Sequence, residues 1–368
     1  MKTLNNPGFE KISTLVDYGT IESVFPGAVL LVASGGKIDF IKETGFITAS
    51  DPVTIVEKDT IFDLASLTKP LATTIAIMGL VDKNIIDLDK PISAYLPANL
   101  TDEKKHITVR LLLNHSAGFV DWKPFYLELE KFPLEKRKDI LRKMILDEPL
   151  KYSPGRDFEY SDLGFMLLEW VIEQSTGKKM DQYLSEKYYK PLKLKHTFFS
   201  RGNTPFSKDK IAATENCQWR KKIIHGEVHD ENACALGGYS GHSGLFGDAY
   251  DLFTLMDMLR GHFMLNRSDF FKPETLKNFF KRQDIVKGST WALGWDTPSP
   301  EASSSGKYFS ENSIGHLGYT GTSIWMDLDK DILVIFLCNR VHPSRDNISI
   351  RSFRPELHDT VMEAFLGH

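Results

Sequence analysis

Two short apolar hairpins at opposite ends of the 368-residue chain restrict its fold more than any other feature. Near the N-terminus, Gly27-Ala-Val-Leu-Leu-Val-Ala33 reads as a strand and Ser34-Gly35-Gly36 as a turn. Lys37-Ile-Asp-Phe-Ile41 alternates as a second strand. Near the C-terminus, Ser323 to Leu328 and Asp331 to Leu337 flank Asp329-Lys330 in the same way. Strands at both ends joined by tight turns predict one antiparallel sheet built from the termini. The sequence between them reads mainly as helix. Leu71 to Val81 is nearly apolar all round, which predicts a buried helix. Leu163, Leu167, Trp170 and Val171 share a helical face, with Asp162 as N-cap and Gly177 past the end. Asp251 to Arg260 repeats that pattern and should stop at Gly261. Glu301 to Gly306 reads as a flexible polar turn.

The expected architecture is α/β (α+β). Residues 1–85 and 285–368 form a lobe with an antiparallel sheet flanked by helices, and residues 86–284 form a mainly helical lobe. A hydrophobic content of 42% supports a sizeable core and excludes disorder, collagen and coiled coil. The formal net charge of −4 gives no reason to expect nucleic acid or an anionic membrane as partner; a small-molecule substrate is the expected partner. Three cysteines, Cys217, Cys234 and Cys338, write neither a disulfide framework nor a zinc knuckle. The first twelve residues contain no apolar signal-peptide core and no run is long enough to span a bilayer, so the chain is expected to be cytoplasmic.

Several chemistries are excluded by inspection. No two glycines stand two residues apart, so no G-x-G dinucleotide or kinase loop exists. G-x-S-x-G and H-E-x-x-H are also missing. Ser-x-x-Lys occurs five times, at Ser34, Ser66, Ser175, Ser207 and Ser304. About two occurrences are expected by chance at ordinary usage, so context must decide. Only Ser66-Leu-Thr-Lys69 opens a buried apolar helix. Residues i and i+3 share a helix face, so Lys69 reaches back to the Ser66 hydroxyl. The helix start adds free N–H groups that favour an oxyanion. A lysine buried there is expected to have a lowered pKa and to accept a proton. The plain alternative is that Ser66 caps the helix and Lys69 is solvated.

Two further elements join it. Tyr160-Ser161-Asp162 is the only Tyr-x-Asp or Tyr-x-Asn in the chain and stands at a loop–helix junction. Gly315-His-Leu-Gly-Tyr-Thr-Gly321 precedes the strand at Ser323, where glycines permit close approach of a ligand to a strand edge. In this order the three elements resemble the S-x-x-K, Y-x-N and K/H-x-G motifs of the serine β-lactamase and penicillin-binding-protein superfamily. The nearest branch is the class C β-lactamase, D-aminopeptidase and esterase group. The framework stretches Phe25 to Val29, Ile107 to Gly118, Gly241 to Gly247 and Thr320 to Ser323 match it too.

That resemblance implies a serine hydrolase with an acyl-enzyme mechanism in a cleft between the lobes, needing no cofactor or metal. Ser66 is then the nucleophile, and Lys69 and Tyr160 share its proton. The N–H groups of Ser66 and Tyr319 form the oxyanion hole, and Asp162, His316, Gly318 and Arg340 contact substrate. Arg340 and Arg345, after the last strand, offer paired N–H donors to a substrate carboxylate. Asp162 stands where the superfamily usually has Asn, and His316 where β-lactamases usually have Lys. Both changes are expected to disfavour anionic β-lactams and leave acyl transfer intact, with the charge of His316 depending on pH. A true β-lactamase and a penicillin receptor without turnover are the alternatives. His225, His229 and His242, near Asp230 and Glu231, have spacing that a metal can use, but a structural or substrate-contacting loop is the simpler reading.

Overall fold

The computed structural model describes residues 7–49, 51–97, 100–202 and 204–367. Its main sheet has six antiparallel strands. They are β1 (Gly27–Ser34), β2 (Lys37–Thr48), β3 (Asp51–Ile55), β4 (Ser313–Leu317), β5 (Ser323–Asp327) and β6 (Ile332–Cys338). Their order across the sheet is β3-β2-β1-β6-β5-β4. The first and last apolar strands are thus direct neighbours, with Leu30 opposite Phe336 and Val32 opposite Val334.

Both faces of this central pair are covered, which is why β1 and β6 read as continuous apolar runs. Alternation in β1 sends Ala28, Leu30 and Val32 to one core and Val29, Leu31 and Ala33 to the other. The smaller core is closed by helix α1 (Pro7–Ile21) packing on the C-terminal helix Ile350–Leu366. The larger core holds α2 (Ile75–Asp82), α3 (Asp162–Thr176) and α4 (Ala249–Met264). β4 is an edge strand. Its outer side is bridged to the chain only at Gly315, by Asp296, among the described residues.

Three local expectations need correction. The helix expected to stop at Gly261 runs on to Met264, with Asp248 as N-cap accepting from the Asp251 N–H at 2.7 Å. Gly261 lies inside it, with Arg267 Cδ 2.8 Å from where a Cβ would stand. Asp162 does not cap α3. Ser161 occupies that position, and the Asp162 carboxylate turns to Lys69. The segment Glu301–Gly306 is pinned: Ser304 O accepts a hydrogen bond from buried His358 at 2.8 Å, and Ser303 and Ser305 bond each other at 2.7 Å.

Candidate active site

From Thr60 to Leu80 every residue is buried except Ser66. Ser66 sits in a single 3₁₀ turn, Ala65–Leu67, that leads into a wide helical turn, Lys69–Thr74, and then α2. Ala65 has φ +46°, a left-handed conformation that a β-carbon disfavours. Its N–H is held by Asp63 at 2.8 Å, so the turn that lifts Ser66 out of the core is built with local strain.

Lys69 is fully buried, and its Nζ donates to Ser66 Oγ at 3.1 Å, Asp162 Oδ1 at 2.6 Å and His242 O at 3.3 Å. The reading of Lys69 as solvated therefore fails. So does the expected lowering of its pKa. Burial alone pushes it down, but the Asp162 carboxylate and Tyr160 outweigh burial and raise it above the ordinary lysine value. Lys69 rests as an ammonium paired to a carboxylate.

Tyr160 lies against this pair, its ring centroid 4.7 Å from Lys69 Nζ. Burial raises its phenol pKa, and Lys69 partly opposes that shift. Three other rings pack around it: His115 with centroids 4.7 Å apart, Trp291 at 5.6 Å and His316 at 6.0 Å. His115 Nδ1 accepts the Ser161 N–H at 3.0 Å, which fixes the start of the Tyr160 helix junction. His316 Nδ1 donates to Leu317 O at 2.8 Å, so its buried Nε2 is a bare acceptor without a partner among the described residues. Burial first, and the Lys69 charge second, push His316 down to about 3. The expectation of a pH-dependent charge on His316 is corrected: it is neutral through the ordinary range.

The segment after β4 is tied to the Ser66 turn. Thr320 Oγ1 donates to Asp63 O at 2.7 Å, and Thr322 Oγ1 to Leu64 O at 3.3 Å. Gly318 lies where a Cβ would meet Thr322 Oγ1 at 2.0 Å and Leu64 O at 2.7 Å. Its glycine thus lets two chain segments approach closely, and Gly318 also lines the cleft beside Ser66. Tyr319 follows at the mouth of the cleft, half exposed, and its N–H has no protein acceptor among the described residues. Arg340 is also corrected. Its guanidinium is spent on Tyr319 O at 2.9 and 2.6 Å, Arg345 O at 2.9 Å and Asn347 O at 2.7 Å, so it shapes the Tyr319 loop and has no free fork. Arg345 is likewise committed, to Glu215 at 2.7 Å and Glu231 at 2.6 Å.

The histidines expected to share a metal or a loop take separate tasks. His225 Nε2 faces Lys208 O and Ile211 O, His229 Nε2 meets Glu215 at 3.0 Å, and His242 Nε2 meets Asp230 at 2.9 Å. His229 also stacks on Tyr319, with centroids 5.7 Å apart. The structure brings together Ser66, Lys69, Tyr160, Asp162, His316, Gly318 and Tyr319. It adds His115, Trp291, Asp230 and His242, to which sequence reasoning gave no catalytic part. His115 stood inside a quoted framework stretch, and its φ of +60° is a conformational signal that composition does not carry. Trp291 comes from an irregular loop with no periodicity to flag it.

Comparison with known proteins follows this geometry. The family described as Beta-lactamase matches residues 11–356. N-acetylmuramyl-L-alanine amidase of Bacillus subtilis (strain 168) is 32% identical over 350 residues, covering 88% of this chain and 79% of that protein. A putative D-alanyl-D-alanine carboxypeptidase of Salmonella typhimurium is 31% identical over 349 residues, covering 88% and 80%. Among solved structures, EstCE1, a hydrolase with promiscuous acyltransferase activity, superposes with a TM-score of 0.77 at 22% identity, over 98% of this chain and 100% of that one. No helix among the described residues is long and apolar enough to cross a membrane.

Proposed function

The chain belongs to the Beta-lactamase family, and from that premise we propose a serine hydrolase that works on esters or amides through an acyl-enzyme on Ser66, with cell-wall peptide fragments among its substrates. The observation that carries this reading is the contact of Ser66, the one residue of a buried helix start that is not itself buried, with a fully buried lysine, Ser66 Oγ to Lys69 Nζ at 3.1 Å. The names of the two relatives, an amidase and a carboxypeptidase, support amide substrates.

In the proposed cycle the Lys69–Asp162 pair moves one proton along its 2.6 Å hydrogen bond, which leaves a neutral amine beside Ser66. Ser66 Oγ attacks the carbonyl carbon and its proton passes to Lys69. The N–H groups of Ser66 and Tyr319 receive the oxyanion. Tyr160 hands a proton to the leaving oxygen or nitrogen as its bond to the carbonyl breaks, and is reprotonated by Lys69. Water then attacks the acyl carbon and the same relay returns a proton to Ser66 Oγ. Neither Asp162 nor the neutral His316 supplies a positive charge to a β-lactam carboxylate where β-lactamases usually have Lys, so the reading favours other acyl donors over penicillins.

The test is a mass time course after mixing with a p-nitrophenyl ester or a penicillin. A transient adduct with released product supports the hydrolase. A lasting penicillin adduct without turnover marks a receptor, and nitrocefin turnover well above ester turnover marks a β-lactamase; either overturns the reading.

A further inference from the structure

The N–H groups of Ser66 and Tyr319 have no protein acceptor among the described residues and come from segments far apart in the chain. One buried residue ties both segments together. Asp63 ends the short strand Phe62–Asp63 and is 2% exposed. Its Oδ1 accepts the Ala65 N–H at 2.8 Å, which fixes the left-handed residue just before Ser66. Its Oδ2 accepts the His229 N–H at 2.6 Å, across 166 residues of sequence. Its backbone O accepts the hydroxyl of Thr320, the residue after Tyr319, at 2.7 Å. The His229 ring in turn stacks on Tyr319, with centroids 5.7 Å apart. Gly318 N–H donates to Thr322 O at 2.7 Å and Gly321 N–H to Gly318 O at 3.0 Å. These bonds close the turn, so a shift at Thr320 is passed to the Tyr319 N–H.

The chemistry of this clamp calls for a carboxylate. Both partners of the side chain are N–H donors, so both of its terminal atoms must accept. An asparagine offers one acceptor and would turn its NH₂ toward the other N–H. The carboxylate is also costly to keep. It has no lysine or arginine partner among the described residues, and burial raises its pKa above the ordinary carboxylate value, which the two N–H groups oppose only in part. Asp63 is not among the residues that line the cleft beside Ser66. A buried charge that breaks a packing rule next to a site, without reaching it, points to the geometry it imposes there.

We propose that Asp63 is a positioning residue for acyl transfer, holding the Ser66 turn and the Tyr319 loop so that their two N–H groups converge on one oxyanion. Donors aimed in advance at a developing charge stabilise it most, and a misplacement of about 1 Å can cost about 10²-fold in rate. Asp63 itself touches no reacting atom. The proposal rests on the serine hydrolase reading and adds the residue that builds its oxyanion site.

The experiment compares the intact protein on an oxoester and its matched thionoester, C=O against C=S, with hydroxide hydrolysis of the same pair as reference. Sulfur is larger than oxygen and a weaker hydrogen-bond acceptor, so the oxo preference beyond that of hydroxide reads the fit of the oxyanion site. The native protein is expected to show a preference of about 10²-fold. Asp63→Asn is expected to lower oxoester kcat about 10²-fold with KM within about twofold, and to cut the oxo preference about tenfold, because thionoester turnover falls less. Thr320→Val keeps the side-chain shape and removes one tie. It is expected to reduce the same preference severalfold, and Thr320→Ser to retain it; this pair decides the matter if Asp63→Asn does not fold. An oxoester loss with unchanged oxo preference, a change in KM alone, native activity in both variants, or no oxo preference in the native protein overturns the positioning role while the hydrolase reading stands. A native protein that turns over neither ester counts against the hydrolase reading, and the positioning role falls with it.

Discussion

Replacing Asp162 with asparagine removes the largest of the influences that hold Lys69 as an ammonium. In the native protein Lys69 is fully buried and its pKa is raised despite burial, because Asp162 at 2.6 Å and Tyr160 hold the charged form. Removing one partner of a buried ion pair costs about 3–5 kcal/mol. Asp162 keeps 14% of its side chain exposed, and an asparagine oxygen can still accept from Lys69, so the expected loss at pH 7 is about 2 kcal/mol. The pH dependence discriminates more sharply than the loss. With a raised folded pKa, the native contribution is fully present below the unfolded lysine value of about 10.4 and is lost as pH rises through the folded value. In Asp162→Asn burial dominates and the folded pKa falls below the unfolded one. The native state then sheds its proton first, and stability rises with pH between the two values by up to about 1.4 kcal/mol per unit. Urea midpoints from pH 7 to 10 should therefore be flat for this site in the native protein and climb in the variant. Parallel curves for the two proteins would refute the assignment of Lys69's charge to Asp162.

Four further outcomes follow from the same geometry. Lys69→Ala and Tyr160→Phe should each slow ester turnover by about 10²-fold or more, and the double variant should lose far less than the product, as groups acting in one relay do; full additivity in kcat/KM would separate their tasks. His316→Lys should lower stability by about 2 kcal/mol or more in thermal or urea unfolding, because a second ammonium would be buried near Lys69, and it should not raise penicillin acylation as it would at an open, solvated site. Gly318→Ala should cut activity sharply while leaving far-UV circular dichroism intact, since its Cβ would force Leu64 O, 2.7 Å away, and the Ser66 turn apart from the Tyr319 loop. Ser66→Ala should fold, at a cost of about 1 kcal/mol for the lost hydrogen bond to Lys69.

Much of the fold was legible because its strands are extreme in composition. β1 and β6 are buried on both faces, so each is an unbroken apolar run bounded by turns. Helix ends were harder, since Gly261 continues its helix to Met264 where a glycine signals a stop. The three motifs located Ser66, Lys69, Tyr160, Asp162, His316 and Gly318, which do converge, because motif spacing reports side-chain type near a chain terminus or turn. What spacing does not report is which charge faces which. The Lys69–Asp162 pair is 93 residues apart in sequence and reverses the expected shift at Lys69. Arg340 had the right chemistry for a carboxylate, but three backbone carbonyl groups consume it. His115 and Trp291 act by packing around Tyr160, a contribution with no sequence spacing of its own.

The central claim is that one hydroxyl, on Ser66, receives the acyl group. Peptide mapping by mass spectrometry after fluorophosphonate labelling tests it most directly, with the native protein and Ser66→Ala treated side by side. The expected result is one adduct on the peptide containing Ser66-Leu-Thr-Lys69 and none on the folded variant. An adduct on any other residue, or equal labelling of Ser66→Ala, would contradict the account.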